Sequence, residues 1–298
     1  MHESQLADEW TRIVAPRTGD VRTELVEEAA EFLGISVADA WRRLHGAGER
    51  FREEWTRTVA DPGDAAALAE FYNRSDTELF ELIEWHASDP IHYRTLILGE
   101  LARGRQGRRY LDYGSGIGND AIVFGEAGFD VTLADISDGL LAFAAWRCRR
   151  RGFTVQTIDL KRESLPPRAF DLVVCFDVLE HIPRPLDVVG NIRASLQNRG
   201  LLVIHAPFGA DPEHPMHVVH QDEVTPRMRS LGFAPIGCAF PSFIRAPQIY
   251  EKRAMPLLDR AGYYVYDRYL DNAVGGMLAA LYRHTVRRTA TSPDDRAI

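Results

Sequence analysis

The feature that most constrains this chain is the regular alternation of apolar segments with longer amphipathic ones after Arg108. Apolar runs bounded by polar or glycine residues predict strands over 110–113, 129–134, 153–158, 170–176, 200–206, 233–240 and 263–269. Between most of them, helical spacing predicts helices, as over 138–151, 185–197 and 222–231. Strands that alternate with helices of this length indicate parallel β–α–β units. We therefore predict an α/β fold with a seven-stranded, mostly parallel sheet and helices on both faces.

The first hundred residues follow a different pattern, because they carry helical spacing and no strand signal. Asp20 and Gly34 have the residue types that begin and end a helix, and Ser36 can cap the next one. We predict an N-terminal helical cap, which serves as a substrate lid, over 1–105, a sheet domain over 106–286 and a flexible tail over 287–298.

The composition of the chain limits the classes of molecule that it is expected to bind. The formal net charge is −8, so a nucleic acid would be repelled on average. Apolar runs fall short of the roughly 18 residues that span a bilayer, and the polar N-terminus does not resemble a secretory signal. The three cysteines are scattered, which is typical of reduced thiols. We expect a cytoplasmic protein with a small-molecule substrate and no nucleic-acid or membrane partner, and a homodimer remains open.

The sharpest motif is the segment LDYGSGIGND, residues 111–120, where the first sheet strand gives way to a helix. Gly114 can make the sharp turn, Gly116 lets a ligand approach the backbone, and Gly118 lets the helix pack closely. The helix N-terminus favours an anionic group such as a carboxylate. The spacing G-x-G-x-G differs from the G-x-G-x-x-G typical of dinucleotide binding, which disfavours an NAD oxidoreductase.

Acidic residues follow the neighbouring strands at the same edge. Asp135 ends the second strand, where it could accept hydrogen bonds from ribose hydroxyls, and Asp159 ends the third, where it could accept from an adenine amino group. The fourth strand and its continuation read FDLVVCFDVLEHI (170–182). Together with the glycine motif and the two strands that end in Asp135 and Asp159, this segment resembles the class I S-adenosylmethionine-dependent methyltransferase family in order and spacing. The resemblance covers about residues 108–240.

The resemblance implies a Rossmann-like fold, S-adenosylmethionine as cofactor and a set of cofactor-binding residues. It implies that the methionine end is held by Asp112, Gly114, Ser115, Gly116 and Gly118, the ribose by Asp135 with Ile136, the region of the adenine by Asp159 with Leu160, and the floor near the sulfonium by Phe176 and Asp177.

A histidine-rich loop follows the fifth strand, and its role admits three interpretations. A histidine could act as general base, and the ranked candidates are His181, just after the fourth strand, then His214 and His217 in the loop. Asp211, His214, His217 and His220 could instead hold a metal ion, or the histidines could be structural. We expect no metal. Substrate-binding candidates are Phe208 in this loop and, in the helical region, His86, Tyr93 and Arg94, while Tyr72 and Trp85 fit either a lid or a helical core.

We predict an S-adenosylmethionine-dependent methyltransferase that acts on a small molecule in secondary-metabolite biosynthesis. One alternative keeps the fold but uses the aminopropyl chain of the cofactor in an intramolecular alkylation that releases methylthioadenosine. A non-catalytic cofactor-binding module is a further alternative.

Overall fold

A computed structural model describes residues 3–75, 77–88, 96, 98–99, 102, 107–208, 214–218, 224–238, 247–254, 256 and 258. The chain divides into two compact units, residues 1–221 with 235–252 and residues 222–234 with 253–298. The predicted boundary at residue 105 stays a prediction, and the predicted tail lies outside the described residues.

Six helices precede the sheet in the described part of the chain: α1 (Glu3–Val14), α2 (Val21–Leu33), α3 (Val37–Leu44), α4 (Ala47–Thr58), α5 (Ala65–Arg74) and α6 (Glu78–Ser88). Their bounds follow from capping. The Asp20 carboxylate accepts a hydrogen bond from the backbone N–H of Thr23, and Gly34 ends α2 in the left-handed conformation. Ser36 caps α3 in the same way, through the N–H of Asp39. None of the helices in the described residues is long and apolar enough to cross a bilayer.

The sheet has seven strands in the order β3-β2-β1-β4-β5-β7-β6. They are β1 (Arg109–Tyr113), β2 (Asp130–Asp135), β3 (Gln156–Asp159), β4 (Phe170–Phe176), β5 (Leu196–His205), β6 (Phe233–Cys238) and β7 (Gln248–Lys252). Strands β1 to β5 pair in parallel, and β7 pairs antiparallel with β5. The predicted α/β class with a seven-stranded, mostly parallel sheet is confirmed.

The connecting helices are α7 (Asn119–Glu126), α8 (Asp138–Arg150), α9 (Pro185–Ser195) and α10 (Val224–Arg227), with a 3₁₀ helix over Leu179–His181. Aromatic packing joins α7 to the sheet, because Tyr110 of β1 stacks on Phe124 with ring centroids 4.1 Å apart. Both rings are fully buried, so this face of the sheet forms the centre of the main core.

Several predicted bounds were wrong. Strand β3 begins at residue 156 rather than 153, because the N–H of Phe153 bonds to the carbonyl of Cys148 and closes α8 instead. Strand β5 begins at 196 rather than 200, because Leu196 already pairs with Phe170 ahead of an irregularity in the ladder. The helix predicted over 222–231 is described only as Val224–Arg227.

Strand β7 was missed, because its sequence QIYEK lacks the apolar run of a central strand. The strand predicted over 263–269 lies outside the described residues. Of the three cysteines, Cys148 and Cys175 are free and buried.

Candidate active site

The carboxyl ends of β1, β2 and β4 bring the predicted cofactor residues to one edge of the sheet. Strands β1 and β4 are neighbours, although β2 and β3 lie between them in sequence, so the strand order reverses here. Open α/β sheets bind ligands in the crevice at such a switch point. The glycine loop follows β1, Asp135 ends β2, and Asp177 follows β4.

The glycine loop has the backbone conformation that its composition predicts. Gly114, Gly116 and Gly118 all have positive φ, at 73°, 48° and 76°. One carboxylate oxygen of Asp135 accepts from the N–H of Gly116 at 2.9 Å, and the other accepts from the N–H of Ser137 at 2.9 Å. Burial raises the pKa of Asp135, and these backbone donors oppose the shift. Asp135 therefore holds the loop against the end of β2.

Replacing Gly114 by alanine is expected to lower both stability and cofactor affinity. A side chain at φ +73° costs about 1–2 kcal/mol, and the new Cβ would lie 2.3 Å from Cγ2 of Val178. Gly128→Ala is the matched control, because its φ is +80° with nothing within 4 Å of the new Cβ. Urea unfolding should show a larger loss for Gly114→Ala, and equal losses would mean that the Val178 contact is unimportant.

Two buried polar groups beside the loop fit a bound ligand. Among the described residues, Asp112 Oδ2 and Ser115 Oγ have no hydrogen-bond partner. Burial, reinforced by the neighbouring charge of Asp120, raises the pKa of the Asp112 carboxyl well above its usual range. A buried carboxyl group with an unfilled acceptor suits the ammonium group of an amino-acid ligand.

The other predicted cofactor residues follow β2 and β3. Asp159 lies beside Asp135 in the parallel register. Its carboxylate is bound by Lys161 Nζ at 3.1 Å and by Arg162. Burial alone would raise the pKa of Asp159, but the Lys161 and Arg162 contacts lower it. The N–H of Leu160 donates to the carbonyl of Asp135 at 3.0 Å, and the carbonyl of Ile136 accepts from Lys161. The carboxylate of Asp159 thus already has two cationic partners. A contact between Asp159 and the adenine stays a prediction.

Asp177 is held by the neighbouring strand. Its φ is +53°, an uncommon conformation for a residue other than glycine. Its N–H donates to the carbonyl of His205 at 2.8 Å, and its carboxylate Oδ1 lies 2.6 Å from His205 Nδ1. Strained backbone of this kind clusters at functional sites. The preceding residue, Phe176, ends β4, is partly buried and packs against the main core.

The three ranked histidines lie together. The rings of His181 and His217 meet edge to face with centroids 5.0 Å apart, and His214 stacks on His217 at 5.2 Å. His181 Nδ1 lies 3.3 Å from the carbonyl oxygen of Met216 and 3.2 Å from the hydroxyl of Tyr72 in α5. Burial, and then the neighbouring His217, lowers the pKa of His181 to about 4. His181 is therefore neutral at physiological pH.

Glu180 lies next to this cluster and was not predicted. Its side chain is fully buried, and neither carboxylate oxygen has a hydrogen-bond partner among the described residues. Burial and the charge of Asp177 raise its pKa well above the usual range. Ligand atoms of Glu180, His181 and His217 all lie within 4.8 Å of one another, which is close enough for one metal ion. Asp211 and His220, the other members of the predicted metal set, lie outside the described residues.

Helix α6 lies over the glycine loop. Leu82 Cδ1 is 3.5 Å from the position that a Cβ on Gly116 would occupy. His86 Nδ1 is 3.2 Å from the side-chain amide nitrogen of Asn119. Burial and the charge of Asp135 raise the pKa of Glu78, at the start of the helix. Of the predicted substrate residues, His86 thus lies beside the loop, and Phe208 is partly buried after β5. Tyr93 and Arg94 lie outside the described residues.

The structure adds a set of residues that sequence reasoning missed, namely Glu28, Glu78, Asn119, Arg147 and Glu180. Asn119 stands inside the glycine motif and could have been chosen on that ground. Arg147 donates to the carbonyl of Ile117 and to the side chain of Asn119 from the far end of α8. Nothing in the sequence indicates that contact, because the residues lie 30 and 28 positions apart.

Solved structures share this fold. The N1-methyltransferase for 1,6-didemethyltoxoflavin from Burkholderia thailandensis is 20% identical, covers 66% of this chain and 92% of its own, and has a TM-score of 0.51. A SAM-dependent methyltransferase from Leishmania major is 16% identical, covers 67% of this chain and 90% of its own, and has a TM-score of 0.50.

Sequence comparison gives the family. A ubiquinone biosynthesis O-methyltransferase from Methylococcus capsulatus is 34% identical over 37% of this chain and 46% of its own length. A protein of the same name from Bordetella avium is 33% identical over 43% of this chain and 53% of its own length. The chain thus spans about half the length of the curated relatives it matches. The family model described as a methyltransferase domain matches residues 86–253, more than half of the chain. This chain therefore belongs to the class I S-adenosylmethionine-dependent methyltransferase family.

Proposed function

We propose that this chain transfers a methyl group from S-adenosylmethionine to a hydroxyl oxygen of a small molecule, and that His181 accepts the proton. The observation that carries the proposal is the position of His181. It lies three residues after Val178, whose side chain packs on Gly114 of the loop, and its imidazole contacts the Met216 carbonyl and the His217 ring. Tyr72 of α5 contacts it from the helical region.

The residues of the loop fit the cofactor. Asp112 and Ser115 offer buried polar atoms that have no partner among the described residues for the amino-acid end, and Asp135 offers a carboxylate for the ribose. When bound, the cofactor supplies an activated methyl group on a sulfonium. The chain then has to align the acceptor oxygen, exclude water and take up a proton.

The tautomer of His181 supports this role. A carbonyl oxygen can only accept a hydrogen bond, so the contact with Met216 favours a proton on Nδ1, whose hydrogen bond the Tyr72 hydroxyl oxygen then also accepts. Nε2 is then the acceptor. The pKa of about 4 keeps this nitrogen unprotonated throughout the neutral range, although it also makes the imidazole a weaker base than an ordinary histidine.

The names of the relatives favour oxygen as the acceptor atom, since both are called O-methyltransferases. They name ubiquinone biosynthesis, whereas an acceptor from secondary metabolism stays a prediction. We further propose that α5 and α6, within the predicted helical cap, act as a lid, because α5 reaches His181 and α6 covers the loop. Such a lid would exclude water from the transfer site.

Replacing His181 by glutamine is expected to lower kcat by about 10²- to 10⁴-fold, the usual contribution of a general base. Glutamine can still donate to the Met216 carbonyl but cannot take up the proton. Transfer of labelled methyl to 3,4-dihydroxybenzoate and related hydroxylated aromatics would measure the rate. His45→Gln, at an exposed position after α3, is the control. Unchanged kcat in His181→Gln would remove His181 from the mechanism.

A metal ion at Glu180, His181 and His217 is a second candidate, favoured by the Glu180 carboxylate, which has no hydrogen-bond partner in the part of the chain that the structure describes. A divalent cation there could lower the pKa of a bound hydroxyl group. Dialysis against a chelator separates the two mechanisms. The general-base mechanism predicts unchanged activity, whereas a loss that added zinc or manganese restores would establish the metal mechanism.

Aminopropyl chemistry is the remaining alternative. Mass spectrometry after incubation with S-adenosylmethionine alone distinguishes it from methyl transfer. Bound, unconsumed cofactor is the expected result, and release of methylthioadenosine without an acceptor would overturn methyl transfer.

A further inference from the structure

A fully buried arginine lies behind the glycine loop. Arg147, in α8, has no exposed side-chain surface. Its Nε donates to Glu28 of α2 at 2.7 Å, and its Nη1 donates to the carbonyl of Ile117 at 2.5 Å and to Asn119 Oδ1 at 2.7 Å. The guanidinium therefore joins an N-terminal helix to the loop that starts α7.

The two loop residues that Arg147 contacts, Ile117 and Asn119, lie on either side of Gly118. That glycine has φ +76°, and a Cβ on it would lie 2.8 Å from the Cβ of Ala144 in α8. Arg147 thus fixes the backbone where the loop turns into the helix. The same turn directs the first N–H groups of α7, which are the groups that bind an anion at a helix N-terminus.

Glu28 holds the guanidinium in place. Its second oxygen accepts from Arg151 at 2.6 Å, and the side chain is buried. Burial alone would raise the pKa of Glu28, but the charges of Arg147 and Arg151 lower it. Two guanidinium groups around one carboxylate leave the cluster net positive, in a buried region where charge is weakly screened.

We propose that Arg147 is a positioning residue for the part of the loop that receives the amino-acid end of S-adenosylmethionine, and that Glu28 of α2 sets its orientation. The proposal rests on the assignment of the glycine loop to the cofactor. It gives the N-terminal helical region a role in cofactor affinity that requires no contact with the cofactor.

Comparing the affinities for two ligands distinguishes a positioning role of Arg147 from a general effect on the stability of the protein. S-adenosylhomocysteine carries the amino-acid end, and methylthioadenosine lacks it. Arg147→Lys keeps the positive charge but loses the guanidinium group that reaches both Glu28 and the loop. Calorimetric titration of this variant should show about tenfold weaker binding of S-adenosylhomocysteine, an effect of the size expected for coupling between distant residues. Binding of methylthioadenosine should stay within about twofold of the wild type.

Arg150→Lys is the matched control, because Arg150 lies on the same helix and pairs with Glu31 of α2 at a more exposed position. It should leave both affinities unchanged. Asn119→Ser provides a second test that keeps the Glu28–Arg147 pair and removes one loop contact, and a smaller selective loss is expected. Equal weakening of both ligands, or no weakening, in Arg147→Lys and Asn119→Ser would overturn the proposal. A selective loss in a chain that transfers no methyl group would overturn only the proposed function.

Discussion

Replacing Asp135 by alanine is expected to weaken binding of S-adenosylhomocysteine by about 100-fold. If the Asp135 carboxylate binds the ribose as proposed, the variant loses charge-assisted hydrogen bonds each worth about 1.5–3 kcal/mol, and every 1.4 kcal/mol is about tenfold in affinity. The same change removes the acceptors for the N–H groups of Gly116 and Ser137, so the loop also loses its support. Calorimetric titration of the purified variant measures the effect.

Two control variants test whether the loss of affinity is specific to the Asp135 carboxylate. Asp135→Asn keeps the shape and an acceptor oxygen, so its loss should be smaller. Asp171→Ala removes a carboxylate near the start of β4, where it pairs with Arg109, and should leave affinity unchanged. If Asp135→Ala binds the cofactor as tightly as the wild type, the ribose assignment is wrong.

Replacing Glu28 by alanine is expected to lower the free energy of unfolding by about 3–5 kcal/mol, the usual cost of breaking a buried ion pair from one side. Arg147 and Arg151 would remain buried with no carboxylate between them. Glu31→Ala is the control on the same helix. Its pair with Arg150 is more exposed, so the expected loss is about 0–1 kcal/mol.

Urea unfolding followed by circular dichroism compares the two variants. A loss for Glu28→Ala no larger than that for Glu31→Ala would mean that the buried cluster contributes little to stability, and that α2 is held by its apolar face alone. That apolar face is substantial, since Leu25, Val26 and Ala29 are fully buried.

Local pattern was sufficient to predict most of the fold. Strand β4 runs over Phe170–Phe176, the predicted bounds, because a continuous apolar run suits a strand buried on both faces. Helix α2 begins and ends where its caps predict. Strand β7 was missed because its identity depends on its antiparallel partner β5 rather than on its own sequence.

The histidines after β5 were predictable from their clustering in the sequence, and the other candidate-site residues mainly where they follow strand ends. The glycine loop and Asp135 follow from that rule, and the cofactor class follows from the family. Contacts between distant segments, such as Glu28 with Arg147 or Tyr72 with His181, span 119 and 109 positions and carry no local signal. Glu180 stands in the motif beside His181, but its burial depends on contacts with distant segments such as Val218, whose N–H donates to the Glu180 carbonyl.

The position of α6 bears on the order of events in a catalytic cycle. Leu82 stands over Gly116, and His86 contacts Asn119. A cofactor bound at that loop would share the loop surface with the helix, so exchange of spent cofactor for fresh cofactor would require α6 to move. If α5 and α6 act as the proposed lid, the lid would open once per turnover, and displacement of α6 would set an upper limit on the turnover rate.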